Sequence, residues 1–185
     1  MSGGAGRDLR VFKSTVVATG NNPVFSQLLA LLQNVEAVEF QLSEPELFKA
    51  MTRGQTAIYA VNRFEMAVNH GGFESLFRVH SGAMINAAYK GLKSANAGKF
   101  AANLAAATKL LPWQRGWPER DAREEALDKL TDQNPDYFDE VNAQFQACYD
   151  GEESLGKAIV AYAFAHPAEF FVDAAVSVPG GASVG

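Results

Sequence analysis

The sequence has little of what a disulfide-stabilised protein, a multi-cysteine zinc protein or a nucleic-acid-binding protein needs. Among 185 residues there are one cysteine and three histidines. This excludes an intramolecular disulfide and any zinc site built from several cysteines. Acidic residues outnumber basic ones by 21 to 16, for a formal net charge of −5. We therefore expect no direct binding to nucleic acid, because phosphate contacts require a basic surface.

Long apolar runs are also missing. The N-terminal stretch MSGGAGRDLRVF lacks the apolar core of a signal peptide. No segment approaches the roughly 20 apolar residues that a membrane helix requires. The only cysteine, Cys148, is predicted to be a small buried residue, since no base partner for a nucleophile can be assigned to it. These features predict a cytoplasmic protein with no membrane contact.

Catalytic signatures are absent as well. The sequence contains no HExxH zinc motif, no G-x-S-x-G nucleophile motif and no phosphate-binding P-loop. The acidic pairs Glu124–Glu125 and Asp139–Glu140 are adjacent in sequence, so their side chains point to different faces of a helix. A general acid and base must converge in one cleft. We expect no enzymatic activity, no cofactor and no metal.

What is present is an apolar pattern with helical spacing along almost the whole chain. Phe25, Leu28, Leu29 and Leu32 fall on one helix face. Ser43 is a suitable cap for a second helix that runs to about Asn69, with a weak point at Gly54 that could divide it in two. The pattern predicts an all-α fold, a single-domain irregular bundle of about eight helices.

Glycine and serine are concentrated at the two ends of the chain. This composition is typical of segments that do not join a packed core. We therefore predict a disordered N-terminus at residues 1–8, a helical domain at residues 9–175 and a flexible C-terminal tail at residues 176–185.

The stretch VNHGGFESLF, residues 68–77, must interrupt this helical pattern. One hypothesis is structural: Gly71 or Gly72 adopts a left-handed conformation that ends a helix, and Phe73 and Phe77, four residues apart, fill the core. The competing hypothesis is a binding or enzymatic site for a small molecule or metal, centred on this turn. Its candidate side chains are Glu65, Asn69, His70 and His80.

The same stretch resembles the signature VNxGGF…F…SG of a bacterial domain-of-unknown-function family named after a DNA mimic protein. The residues that carry the resemblance are Asn69, Gly71, Gly72, Phe73, Phe77 and Gly82. It continues through the alanine-rich segment NAAYKGLKSANAGKFAANLAAATKLLP and the ending LGKAIVAYAFAHPAEF, so it covers about 55–171. His70 and Val79 stand where the family often has asparagine. The resemblance implies an all-helical fold, acidic binding surfaces and dimerisation, and it implies no enzymatic activity.

Acidic residues are concentrated in residues 119–153, which hold twelve acidic and three basic side chains for a net charge of −9. The rest of the chain, with 13 basic and nine acidic residues, carries +4. Spacings of four, three and four place Asp121, Glu125, Asp128 and Asp132 on one helix face. The predicted protein-binding residues are Asp121, Glu124, Glu125, Asp128, Asp132, Asp136, Asp139 and Glu140.

This row of carboxylates has a linear charge density similar to that of DNA. At 1.5 Å rise per residue it spans about 16 Å, and with Glu124 beside it the five carboxylates give roughly one charge per 3–4 Å. One DNA strand has one phosphate per about 3.4 Å. The row could therefore bind a basic protein, as a DNA mimic or as an immunity or antitoxin-type protein. The competing interpretation is an acidic face that only confers solubility.

A second candidate interaction site is the loop PWQRGWPER, which contains Trp113, Arg115 and Trp117. Tryptophan and arginine are enriched at the energetic centres of protein interfaces. The competing interpretation is a rigid connector whose indole rings cover the core. Our leading hypothesis is therefore a non-enzymatic acidic module that binds a basic protein, with the ligand-binding turn and the immunity-type protein as alternatives.

Overall fold

The structure, a computed structural model, describes residues 8–18, 23–113, 116–150 and 154–172. The predicted disordered N-terminus at 1–8, except for Asp8, and the predicted tail at 176–185 lie outside the described residues. The described residues form ten helices and no strand, apart from one isolated bridge between Val11 and Phe171. The all-α prediction is confirmed.

Two of the ten helices have only five and four residues, and the other eight match the predicted number. Their bounds are α1 Lys13–Val17, α2 Pro23–Glu39, α3 Glu44–Ala50, α4 Arg53–Val79, α5 Gly82–Ser94, α6 Gly98–Lys109, α7 Arg120–Gln133, α8 Asp139–Ala147, α9 Leu155–Ala165 and α10 Pro167–Phe170.

The predicted division of the second helix is confirmed, but the break is not at Gly54. It lies at Met51 and Thr52, between α3 and α4. Gly54 is in the first turn of α4, where a Cβ atom would lie 2.7 Å from the Phe170 ring. Its backbone N–H donates to the Glu169 carboxylate. Tertiary packing at the start of a helix, not weakness in its middle, therefore accounts for this glycine.

The chain divides into two compact units. Unit 1 comprises residues 1–55 and 160–185, and unit 2 comprises residues 56–159. In unit 1, the Val11 N–H donates to the Phe170 carbonyl at 2.9 Å, and the Val172 N–H donates to the Val11 carbonyl at 3.1 Å. These bonds join residues near the two ends of the chain, beside a core that includes Leu31, Leu32 and Phe171. The predicted domain boundaries stay a prediction.

Unit 2 has a core rich in aromatic rings. Phe145 of α8 is fully buried. Its ring centroid lies 5.5 Å from that of Phe64, 5.6 Å from that of Phe100 and 5.4 Å from that of Tyr149. All three pairs are close to perpendicular, the edge-to-face arrangement that aromatic rings favour. This cluster holds α4, α6 and α8 together.

Candidate functional site

The glycine pair breaks α4 as the structural hypothesis predicts. Gly71 and Gly72 both have non-helical backbone angles, and Gly72 has φ +70° and ψ −171°. This combination is essentially restricted to glycine, because a Cβ atom would clash with the backbone. A Cβ at Gly72 would also lie 2.8 Å from the Asn142 side chain. Gly72 is therefore required by its backbone conformation and by the close approach of α8.

Asn142 of α8 completes this break. Its side-chain oxygen accepts a hydrogen bond of 2.9 Å from the Phe73 N–H, one of the donors that a helix start leaves unpaired. Phe73 and Phe77, which follow, are fully buried, with ring centroids 5.9 Å apart. Their predicted place in the core is confirmed. The role of Asn142 has no local signal in the sequence, because the residue that it caps is 69 positions away.

The end of the family signature has a packing role too. The Ser81 hydroxyl accepts a hydrogen bond of 3.1 Å from the Met84 N–H and caps α5. At Gly82 a Cβ atom would lie 2.8 Å from Trp117. Glycine here lets the indole ring of Trp117 lie directly against the start of α5.

Glu65, which is half-buried, and Asn69, which is exposed, both hydrogen-bond the hydroxyl of the half-buried Tyr149. The Tyr149 hydroxyl donates to Glu65 Oε1 at 2.7 Å, and the Asn69 side chain also hydrogen-bonds this hydroxyl. Burial raises the pKa of the Glu65 carboxyl, although the bond from Tyr149 partly offsets this effect. Burial, together with the bond to Glu65, also raises the pKa of Tyr149. These groups form a small hydrogen-bonded network inside unit 2.

The two histidines near the signature have different surroundings. His70 is exposed. Burial, with added repulsion from Arg63 and Arg123, lowers the pKa of His80 to about 4, so this ring is neutral near neutral pH. Within the described ranges, no group of three or more histidine, cysteine, aspartate or glutamate side chains is placed to hold a metal ion. Glu65, His70 and His80 thus do not assemble into a metal site.

The acidic row predicted on one helix lies on α7. All four carboxylates in the four-three-four spacing are exposed, and Glu124 beside them is half-buried. Only Arg123 and Leu127 of the fourteen residues of α7 are buried. The exposed members of the row are Asp121, Glu125, Asp128 and Asp132.

Glu125 of the row and the neighbouring Glu124 form ion pairs within α7. Arg120 Nε lies 2.8 Å from Glu124 Oε1, and Lys129 Nζ lies 2.6 Å from Glu125 Oε1. The hydrogen bond from Lys129 holds the pKa of Glu125 below its usual value. Exposed pairs of this kind contribute about 0–1 kcal/mol to stability, so a basic group on another protein can replace Arg120 or Lys129 at little cost.

A third ion pair comes from α4, and the sequence had no signal for it. Arg78 Nη2 lies 2.6 Å from Asp128 Oδ1 and also 2.6 Å from Glu74 Oε1. The guanidinium of Arg78 therefore pairs with one carboxylate on α4 and one on α7. Asp121 and Asp132, at the two ends of the row, form no ion pair with any residue that the structure describes. The carboxylates of the row without such an ion pair thus stand at its two ends.

Arg123 anchors α7 and is 5% exposed. Its Nη1 donates to the Pro118 carbonyl at 3.1 Å, and its Nη2 donates to the Arg78 carbonyl at 2.9 Å. The guanidinium also lies 6.0 Å from the centroid of the Trp117 ring. Charged groups of this kind hydrogen-bond carbonyls strongly. This buried arginine therefore fixes the orientation that leaves the acidic row exposed.

The remaining predicted acidic residues lie just before α8 and in its first turn. Asp136, Asp139 and Glu140 are exposed, and Asp139 and Glu140 stand in the first turn of α8, where negative charge complements the helix dipole. Glu140 accepts a hydrogen bond from Gln144 at 3.1 Å. Glu152 and Glu153, which the sequence count included, lie outside the described residues.

The two tryptophans of the predicted interaction loop lie together. Their ring centroids are 5.6 Å apart at an interplanar angle of 77°, and Trp117 also contacts Phe77. Both rings line a groove beside α5 and α6. Contact with the core supports the connector interpretation for Trp117, and the groove leaves an interaction role open. Arg115 lies outside the described residues.

Comparison with known proteins identifies the family. The model of the DMP19-like protein family matches residues 49–166, more than half of the chain. The chain belongs to the DMP19-like family. This match includes the glycine break, the tryptophan loop, α7 and α8, and it ends before most of the HPAEF segment. No curated protein and no solved structure matches the chain.

None of the described helices has both the length and the apolar character needed to cross a bilayer.

Proposed function

We propose that this DMP19-like protein is a non-enzymatic DNA mimic that binds a basic DNA-binding protein through the acidic surface of α7 and the start of α8. The observation that carries this proposal is the exposure of Asp121, Glu125, Asp128 and Asp132 along a single helix. This helix lies inside the segment that the family model matches. The family takes its name from a DNA mimic protein, and that name is a second, independent support.

The physical basis is competition between carboxylates and phosphates for the same basic side chains. Over about 16 Å of helix the row presents charges at a spacing close to that of one DNA strand. In the free protein Arg120 pairs with Glu124 and Lys129 pairs with Glu125, but these exposed pairs are weak. The partner's arginine and lysine side chains would replace them and would also meet the unpaired Asp121 and Asp132.

The proposal includes a bacterial cytoplasmic location and a homodimer. The bacterial source and the homodimer follow from the family resemblance, and the single cysteine favours a reducing compartment such as the cytoplasm. Sedimentation equilibrium of the purified chain tests the dimer directly, because a monomer and a dimer of a 19.9 kDa chain differ twofold in mass.

The experiment uses partners selected for binding DNA. Proteins from the source bacterium are retained on duplex DNA–cellulose, eluted, and offered to the immobilised chain at about 50 mM and about 500 mM salt. We expect capture of a basic protein at low salt, its release at high salt, and displacement by added duplex DNA. Mass spectrometry identifies the captured protein. This protein is then purified, and its affinity for the chain is measured.

Two variants with the same change in charge decide whether α7 carries the binding. Asp121→Asn combined with Asp132→Asn removes the unpaired charges at the ends of the row. Glu36→Gln combined with Glu39→Gln removes two charges from α2, outside the segment matched by the family. We expect about tenfold weaker binding for the first variant, because nearby charges steer association. Equal effects of the two variants, or binding that DNA does not displace, would refute the proposal.

A further inference from the structure

Trp113 and Trp117 form one wall of a groove that the proposed function does not use. The other walls are α5 and α6, and the volume is about 450 Å³. Pockets for small molecules typically enclose about 300–1,000 Å³ and have largely apolar walls with a few polar groups. This groove has the size and composition of a small-molecule site.

Three aromatic rings line the groove, from Tyr89, Trp113 and Trp117. Trp117 is held by contacts on two sides. Its ring centroid lies 6.2 Å from that of Phe77, and Gly82 leaves its indole no spare space. Trp113 packs against Trp117 nearly at a right angle. A rigid wall of this kind suits a flat ring, because aromatic rings stack or meet edge to face at such distances.

The polar groups of the groove are suited to an anion. Lys109 lines it and is exposed. None of the described lining residues is acidic, although the whole chain has a net charge of −5. The indole N–H groups of Trp113 and Trp117 are both buried and have no hydrogen-bond partner among the described residues. The described lining therefore offers an anion the positive charge of Lys109 and no carboxylate that would repel it.

We propose that this groove binds an organic acid that contains an aromatic ring. The ring of the ligand packs between Tyr89 and Trp113. Its carboxylate pairs with the exposed ammonium group of Lys109. The site is separate from the acidic row on α7, whose charge would repel the same ligand, so this inference does not depend on DNA mimicry.

The test uses the fact that the chain contains only two tryptophans. Both line the groove, so the two indole N–H signals in a ¹⁵N–¹H NMR spectrum report on it alone. Titration with 2-naphthoate should shift both signals in a saturable way. 2-Naphthalenemethanol, which has the same rings and no charge, should bind about tenfold more weakly, since it cannot pair with Lys109. If neither signal shifts, or if acid and alcohol bind equally, the proposal is wrong.

Matched variants locate the site. Lys109→Met removes the charge at an exposed position and should weaken binding of 2-naphthoate about tenfold. Lys99→Met makes the same change on α6 outside this groove and should leave the affinity unchanged. Ala105→Phe fills the groove and should abolish the shifts, with thermal unfolding to confirm that the variant is folded. Equal affinities for the two lysine variants would overturn the assignment of Lys109.

Discussion

The aromatic core of unit 2 and helix α7 are built in opposite ways. In the core, Phe64, Phe73 and Phe145 are 0–1% exposed and contact one another through their rings. In α7, only Arg123 and Leu127 of fourteen residues are buried. In unit 2, the buried aromatic residues therefore provide the packing that stabilises the fold, whereas α7 presents charged side chains to solvent.

The energies of the two regions explain this division. Burying a phenylalanine side chain stabilises a fold by about 1.5–3 kcal/mol, whereas an exposed ion pair contributes about 0–1 kcal/mol. The exposed charges of α7 can therefore change with little effect on stability, provided that Arg123 and Leu127 still hold the helix in place.

The largest expected effect is on the core side of the comparison. Phe145→Ala removes a ring that contacts four others, those of Phe64, Phe73, Phe100 and Tyr149. We expect the free energy of unfolding to fall by about 3–5 kcal/mol, because the variant loses apolar burial and leaves a cavity. Urea-induced unfolding followed by circular dichroism measures this loss.

The control for this prediction is a phenylalanine at the opposite extreme of burial. Phe40 is 93% exposed, so Phe40→Ala should change the free energy of unfolding by less than about 0.5 kcal/mol. Similar losses for the two variants would show that the aromatic cluster does not dominate the stability of unit 2.

The second prediction concerns the place where α4 and α7 approach each other. His80, near Arg123, has its pKa lowered from 6.5 to about 4. Between these values the unfolded chain binds a proton that the folded chain does not. The free energy of unfolding should therefore fall as the pH decreases through this window, by at most about 3 kcal/mol. Urea unfolding at several pH values measures the decrease.

Substitution separates His80 from other groups that titrate in acid. His80→Gln should flatten the dependence between pH 6.5 and 4, since glutamine takes up no proton there. His70→Gln, at the exposed histidine before the glycine break, should leave the dependence in place. If both variants retain the full pH dependence, the neutral, partly buried state assigned to His80 is incorrect.

The smallest expected effect on stability is on the α7 side. Lys129 and Glu125 have side chains that are 68% and 69% exposed, so Lys129→Gln should change the free energy of unfolding by less than about 0.5 kcal/mol. The same variant frees Glu125 and makes α7 more negative. Binding to the basic partner should become about two- to threefold tighter at low salt. Calorimetry at two salt concentrations measures this change, and weaker binding would contradict the proposed role of α7.

Much of the fold was predictable, because its signals are local. Helical spacing, the Ser43 cap and the glycine pair act through neighbouring residues, and each appears in the structure as α3, α4 or the break at Gly72. The location of the division between α3 and α4 was not predictable. Gly54 is needed because Phe170 packs against it and Glu169 accepts a hydrogen bond from its N–H, and both residues are more than a hundred positions away.

The candidate site shows the same limit. The spacing of Asp121, Glu125, Asp128 and Asp132 predicted their exposed row correctly. It did not predict that Arg78 would pair with Asp128, or that Arg123 would be buried under the helix. Nor did it indicate that Asn142 would cap Phe73. Each of these contacts joins different elements of secondary structure.

The order of residues alone thus specifies the helices, their principal break and the periodic placement of acidic side chains, because these depend on backbone sterics and on spacing along one helix. That Arg78 compensates Asp128, how α7 is held and where the tryptophans form a groove were settled only by the packing of helices. Burial and the pairing of side chains on different helices depend on distances between residues that are remote in sequence, and those distances exist only in the folded chain.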